Sequence, residues 1–227
     1  MPRRERPPET TRSEHWLRFA INERPAALNR QISELFGWND RIEWVSPIKS
    51  DGYAEYFDEA FLERLGIADV AVPLSAYWPA GGPRWDGLGR TVSGKVLLVE
   101  AKAYVEEAVD YGSRASAKSL QQIGTALKST KEALAAAADA PWTAPFYQYT
   151  NRLAHLHYLR QLNGLDAYLL FIYFANAPDV PRPSSIEEWR GAKRLIEKSL
   201  GLQAHHPLSN CLGTLIWDVA EMVSDRG

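Results

Sequence analysis

Glu100 and Lys102 end the apolar run of KVLLVEAKAY, and Asp86 precedes them in the string GGPRWDGLG, just after a Gly-Gly-Pro turn. An acid followed, one hairpin later, by Glu-x-Lys supplies what metal-dependent phosphodiester hydrolysis needs. Carboxylates hold a hard divalent ion, and a neighbouring cation offsets charge developing on a reacting phosphate. Side chains alternate along a strand, so Glu100 and Lys102 share one side. Ala101 points the other way, and its carbonyl is a further oxygen ligand. Asp86 on a neighbouring strand would bring its carboxylate to that of Glu100 at the sheet's edge. Asp86, Glu100 and the Ala101 carbonyl, completed by waters, make an oxygen site of the kind Mg2+ or Mn2+ accepts. A bare Glu-x-Lys is common, and two solvated charges where a strand leaves the core are its ordinary explanation. Here the pair closes a buried type of strand, an acid stands one hairpin before it, and Glu106 and Glu107 add carboxylates just beyond.

These residues can act together only if the right elements position them. Val96–Val99 is an unbroken apolar run between Ser93-Gly94 and the charged pair, which predicts a strand over 95–102 buried on both faces. A strand beginning near Trp85 and another over Val70–Trp78, turned by Pro79–Pro83, would precede it. Upstream, a helix from Ser13 breaks near Pro25, a second runs from Pro25 to Phe36 and stops at Gly37, and Ile42–Val45 suggests a short strand. Phe57, Phe61, Leu62 and Leu65 predict an amphipathic helix over Tyr53–Leu65, capped by Gly66. Downstream, helices are expected over Ala117–Ala138 and Phe146–Leu162, strands over Tyr168–Phe174 and Leu212–Val219. A capping box at Ser184 or Ser185 opens a further helix. A helical crossover after the third strand favours parallel pairing, so the expected fold is an α/β sandwich with a central mixed sheet.

Composition bounds the function. The 227 residues, 45% hydrophobic, suffice for one core and point to a single domain over 13–227 behind a flexible basic tail, 1–12, carrying Arg3, Arg4 and Arg6. One cysteine, Cys211, excludes an internal disulfide and reads as a small buried apolar residue. The absence of CxxC and HExxH patterns argues against zinc. With no long apolar stretch and no leader pattern at the start, the expectation is a protein off the membrane, in the cytoplasm. The net charge of −2 is low for a nucleic-acid enzyme, although Arg84, Arg90, Lys95, Arg114, Lys118, Lys128 and Lys131 surround the motif.

With these residues in place, the chain resembles the PD-(D/E)xK nuclease superfamily, the restriction-endonuclease-like fold. Asp86 matches its first acid and Glu100 with Lys102 its (D/E)xK pair; the proline, Pro83, stands three positions before Asp86. The chain also resembles uncharacterised bacterial members through Trp85-Asp86, LLVEAKA (Leu97–Ala103), FYQ..NRLA (Phe146–Ala154) and LLFIYF (Leu169–Phe174), from about Tyr53 onward. The resemblance implies a nuclease fold and a Mg2+ or Mn2+ site. It also implies that an acid from the first core helix, Glu55 or Glu59, joins that site. Gln148 and Arg152, four apart on one helix face, are candidates to reach a phosphate, with Asn151 beside them and Gln121 and Gln122 as weaker ones. His155 and His157 diverge on their helix and read as satisfied core histidines; His205-His206 reads as loop, and Gly87-Leu88-Gly89 as a turn.

The expected function is a divalent-metal-dependent nuclease acting on nucleic acid, DNA favoured over RNA, with Asp86 and Glu100 on the metal and Lys102 assisting water attack. Glu59 and Gln148 complete the expected catalytic set, and a homodimer is compatible with the sequence. The alternative is a catalytically silent nuclease-like scaffold that binds nucleic acid or a protein partner.

Overall fold

The computed structural model describes residues 3–4, 7 and 9–224. The chain opens with a two-residue strand, β1 (Arg3–Arg4), then helices α1 (Arg12–Glu23) and α2 (Pro25–Phe36). Pro25 lacks an N–H and so suits a first helical turn, while Gly37, at φ 66°, takes the left-handed conformation that ends α2. Strands β2 (Ile42–Ser46) and β3 (Glu55–Tyr56) come next, followed by short helices α3 (Glu59–Arg64) and α4 (Leu74–Tyr77). Then follow β4 (Gly87–Thr91), β5 (Val96–Lys102), α5 (Ala117–Ala133) and α6 (Tyr147–His157), the last continued by a π turn through Leu162. β6 (Ala167–Ala175), α7 (Ile186–Ser199), β7 (Leu212–Asp218) and α8 (Val219–Ser224) complete the described chain. α7 opens on the expected capping box, with Ser185 and Glu188 as its two members.

Five strands form one mixed sheet in the order β2-β4-β5-β6-β7. β2, β4 and β5 are antiparallel neighbours, whereas β5, β6 and β7 run parallel, as a helical crossover requires. Every residue of β5 is buried, because helices cover both faces of the sheet. Leu97, Val99 and Ala101 face the layer made with α1, α2 and α8. Val96 and Leu98 face the opposite layer, built with α3 to α7 around Phe61, Trp85, Leu153, Phe171 and Tyr173. The same alternation turns Glu100 and Lys102 toward α6.

Several expectations are corrected. Tyr53–Leu65 is not one helix: Tyr53 and Asp58 adopt positive φ, and Glu55–Tyr56 pair with Arg3–Arg4, leaving a helix only over Glu59–Arg64. Part of the basic tail is therefore a strand, with Arg3 bonded to Asp51; its residues 1, 2, 5, 6 and 8 lie outside the described ones. Val70–Trp78 is not a strand. Pro73 opens α4, Val72 N–H donates to the Asn163 side chain, and the Val72 carbonyl accepts from the Tyr158 hydroxyl, so side chains replace a ladder. The long helix stops at Ala133 rather than Ala138 because Leu134 is fully buried and the Ala137 N–H bonds the Gly201 carbonyl. Docking outweighs the helix preference of alanine there. Gly87 and Gly89 lie in β4 rather than in a turn; a Cβ on Gly87 would sit 3.2 Å from that of Val99.

Candidate active site

Asp86 stands one residue before β4, whose register pairs Gly87 with Val99, and so lies beside Glu100 across the strands. Its Oδ2 accepts the Ala101 N–H at 2.9 Å. In an extended strand the N–H and C=O of one residue point the same way, so the Ala101 carbonyl also opens toward Asp86. The three expected ligands therefore share one edge of the β4–β5 pair.

Glu100 is the most enclosed of the acids. Its Oε1 accepts Lys102 Nζ at 2.5 Å, and its Oε2 accepts the Arg152 Nε–H at 2.6 Å with Nη2 of the same guanidinium 2.5 Å away as an ion pair. Lys102 Nζ also donates to Gln148 Oε1 at 2.9 Å, so α6 reaches the pair from above through two residues one turn apart. Asp110 aligns this helix: its Oδ2 accepts the Gln148 N–H at 2.7 Å, placing a negative charge at the α6 N-terminus. Beneath the pair, Tyr149 stacks on Phe171 and Tyr173 on Trp189, an apolar floor that keeps water from the charges.

The electrostatics follow from this packing. Burial alone would push Glu100 up, but Arg152 and then Lys102 outweigh it and hold the carboxyl below its usual range. Burial would lower Lys102, yet Glu100, Asp86 and Glu107 together raise it, so it is an ammonium at neutral pH. Asp86 goes the other way: burial first, then the charges of Glu100 and Glu55, push it up to about 8. Lys102 and Arg152 pull it down but do not offset these. Two acids and a main-chain carbonyl with such a deficit suit a hard divalent cation, and Asp86, Glu100 and Ala101 are the residues that would hold it. Among the described residues, no three side chains of the His, Cys, Asp or Glu kinds gather as a larger metal cluster.

A cavity of about 420 Å3 opens onto Asp86 and Lys102, walled by Pro7, Glu9, the start of α1 and Glu107. Glu107 is tied in place by the Ser13 hydroxyl and the Ala103 N–H. A larger hollow of about 630 Å3 lies at the other end of the sheet, beside Arg90 and Val96, away from these acids.

The remaining expected residues separate. Glu59 is exposed on α3 and its charge bears on Tyr158, so the acid of that region standing near Asp86 is Glu55, which is buried. The expected role for Glu59 is thus corrected: breaking the helix at Asp58 separates the two. Arg152 is buried on Glu100 rather than free to meet a phosphate, and its Nη1 donates to Asn151. Gln122 donates to the Ser75 carbonyl, and Gln121 is exposed. Arg90 and Lys95 pair with Glu43 and Asp40, Lys128 with Glu132, and Lys131 binds two carbonyls. Arg84, Arg114 and Lys118 are exposed. His155 Nδ1 bonds the Asn151 carbonyl and His157 Nδ1 the Gln161 side chain, each turned its own way.

Two participants went unread in the sequence. Asp110 is a cap 38 residues from the N–H it accepts, and the segment before α1 reaches the site only through the fold. No local pattern signals either. No protein-family model, curated protein or solved structure matches this chain. No helix among the described residues is long and apolar enough to cross a membrane.

Proposed function

We propose that this protein is a divalent-metal-dependent phosphodiester hydrolase of the PD-(D/E)xK type, acting on nucleic acid. The observation that carries the reading is the meeting of Asp86, Glu100 and Lys102 from adjacent strands on one face, with Gln148 of α6 holding the lysine. Asp86, the Ala101 carbonyl and one oxygen of Glu100 would hold Mg2+ or Mn2+, which would supply Lewis acidity and lower the pKa of a bound water.

This chain's own residues do the rest. Lys102, kept protonated by the acids around it, is no general base; it offsets charge developing on the phosphate. Gln148 fixes where that ammonium points. Asp86 must shed its proton to act as a ligand, so ion binding should rise as pH rises through about 8. The apolar floor and the wall made by the start of α1 limit water to the side facing the cavity. Of the basic residues around the motif, exposed Arg84, Arg114 and Lys118 are left to meet a polyanion, which fits a weakly held substrate.

One observation favours the second reading, a nuclease-like scaffold that binds nucleic acid or a protein partner without cutting: both oxygens of Glu100 already have cationic partners. Incubation with linear, circular and single-stranded DNA and with RNA, in Mn2+ or in EDTA, separates the two. Cleavage in Mn2+ alone supports the hydrolase and names its polymer. Binding without cleavage of any of them supports the scaffold.

A further inference from the structure

Resting on the metal-dependent reading above, we infer that the site takes one divalent ion and not two, because the Arg152 guanidinium already fills the cationic position on the far side of Glu100. The two oxygens of Glu100 are unequally held. Oε2 accepts the Nε–H of the guanidinium at 2.6 Å and has its Nη2 2.5 Å away, so the charge and bulk of Arg152 occupy the side a second cation would need.

Arg152 is fixed from every side. Its Nη2 donates to the Arg84 carbonyl and its Nη1 to Asn151 Oδ1, both at 2.8 Å. Its plane lies over the Trp85 ring at 4.8 Å. Arg84 and Trp85 lead directly into Asp86, so one buried cation ties the Asp86 step to Glu100 on the neighbouring strand. Lys102 differs. Its long stem borders the open cavity, and Gln148 offers it a partner other than Glu100. Oε1 is therefore the oxygen that can be yielded to an ion shared with Asp86 and the Ala101 carbonyl, while Oε2 stays with Arg152. Arg152 is a positioning residue, acting through Glu100 without touching the substrate.

Counting Mn2+ bound per full-length chain, by calorimetry and by the electron spin signal of the free ion, tests this directly. Wild type and Arg152→Lys are expected to bind one ion each. Arg152→Gln, which puts a neutral amide donor there and drops the charge, is expected to bind two, with circular dichroism confirming its fold. Two ions in wild type overturn the inference and leave the metal reading standing, as does a single ion in folded Arg152→Gln. If that variant does not fold, the wild-type count decides. No ion in wild type overturns the metal reading, and this inference with it.

Discussion

Lys128 and Glu132 face each other one turn apart on α5 at 3.9 Å, with side chains 77% and 67% exposed. Glu100, Lys102 and Arg152 make the same kind of contact at 2.5 Å with side chains 3%, 11% and 7% exposed. Water screens the first pair and makes it nearly dispensable. The second group has been taken out of water at a desolvation cost that hydrophobic residues of the same size would avoid. Burial of this kind is a poor route to stability, which is why the proposed function places its chemistry there. It also divides β5 itself: Val96–Val99 and Glu100–Lys102 are equally buried, and only the second half carries charge.

The comparison breaks most sharply at Arg152. Arg152→Ala leaves Glu100 short of its main counter-charge and should cost about 3–5 kcal/mol in a denaturant titration, as uncompensated buried charges do. Lys128→Ala should leave the same curve unmoved. Equal effects would mean that the two groups are held alike.

Next in size is Lys102→Ala. Loss of a preorganised cation should lower turnover by about 10²–10³-fold. Mn2+ binding should survive, because the ion's ligands are elsewhere. Turnover at the wild-type rate would remove Lys102 from the mechanism.

Asp86 sharpens the comparison through pH. Its carboxyl is raised from 3.8 to about 8, so the protonated acid is the form the metal-free fold prefers. The stability this contributes is complete below the unfolded pKa and is lost as pH rises through about 8. Asp86→Asn should therefore melt above metal-free wild type at pH 8, by about 2–4 °C for each kcal/mol relieved, and the gap should shrink toward pH 4. Mn2+ should close it from the wild-type side. A gap independent of pH would show that Asp86 is not the group titrating.

The smallest expected effect is none: Glu59→Ala should keep both metal binding and cleavage, since its side chain is exposed and acts on Tyr158.

Glu59 also shows where the sequence stops being legible. The apolar spacing of Phe61, Leu62 and Leu65 is real, and all three are buried, but the helix begins only at Glu59 because the segment before it pairs with Arg3–Arg4. Those partners are 51 and 53 residues away in sequence and leave no local trace. β5, by contrast, was readable in full: an apolar run, a charged end and strict alternation placed Glu100 and Lys102 together. The break at Pro25 and the Ser185 capping box were equally local and equally plain. Arg152 was visible as a face-sharing partner of Gln148, yet its burial on Glu100 was not, because periodicity reports which residues share a face and not what lies opposite. The helical reading of Ala135–Ala138 yielded to a tertiary contact with Gly201 for the same reason.

Glu100→Gln tests the central claim most directly, since glutamine keeps the shape while removing the charge proposed to hold the ion. The measurement is cleavage of one nucleic-acid substrate by wild type and Glu100→Gln, side by side, in Mn2+ and in EDTA. The account predicts cutting by wild type in Mn2+ alone and none by the variant. Cutting that persists in Glu100→Gln, or a wild type that neither cuts nor binds Mn2+, would contradict it.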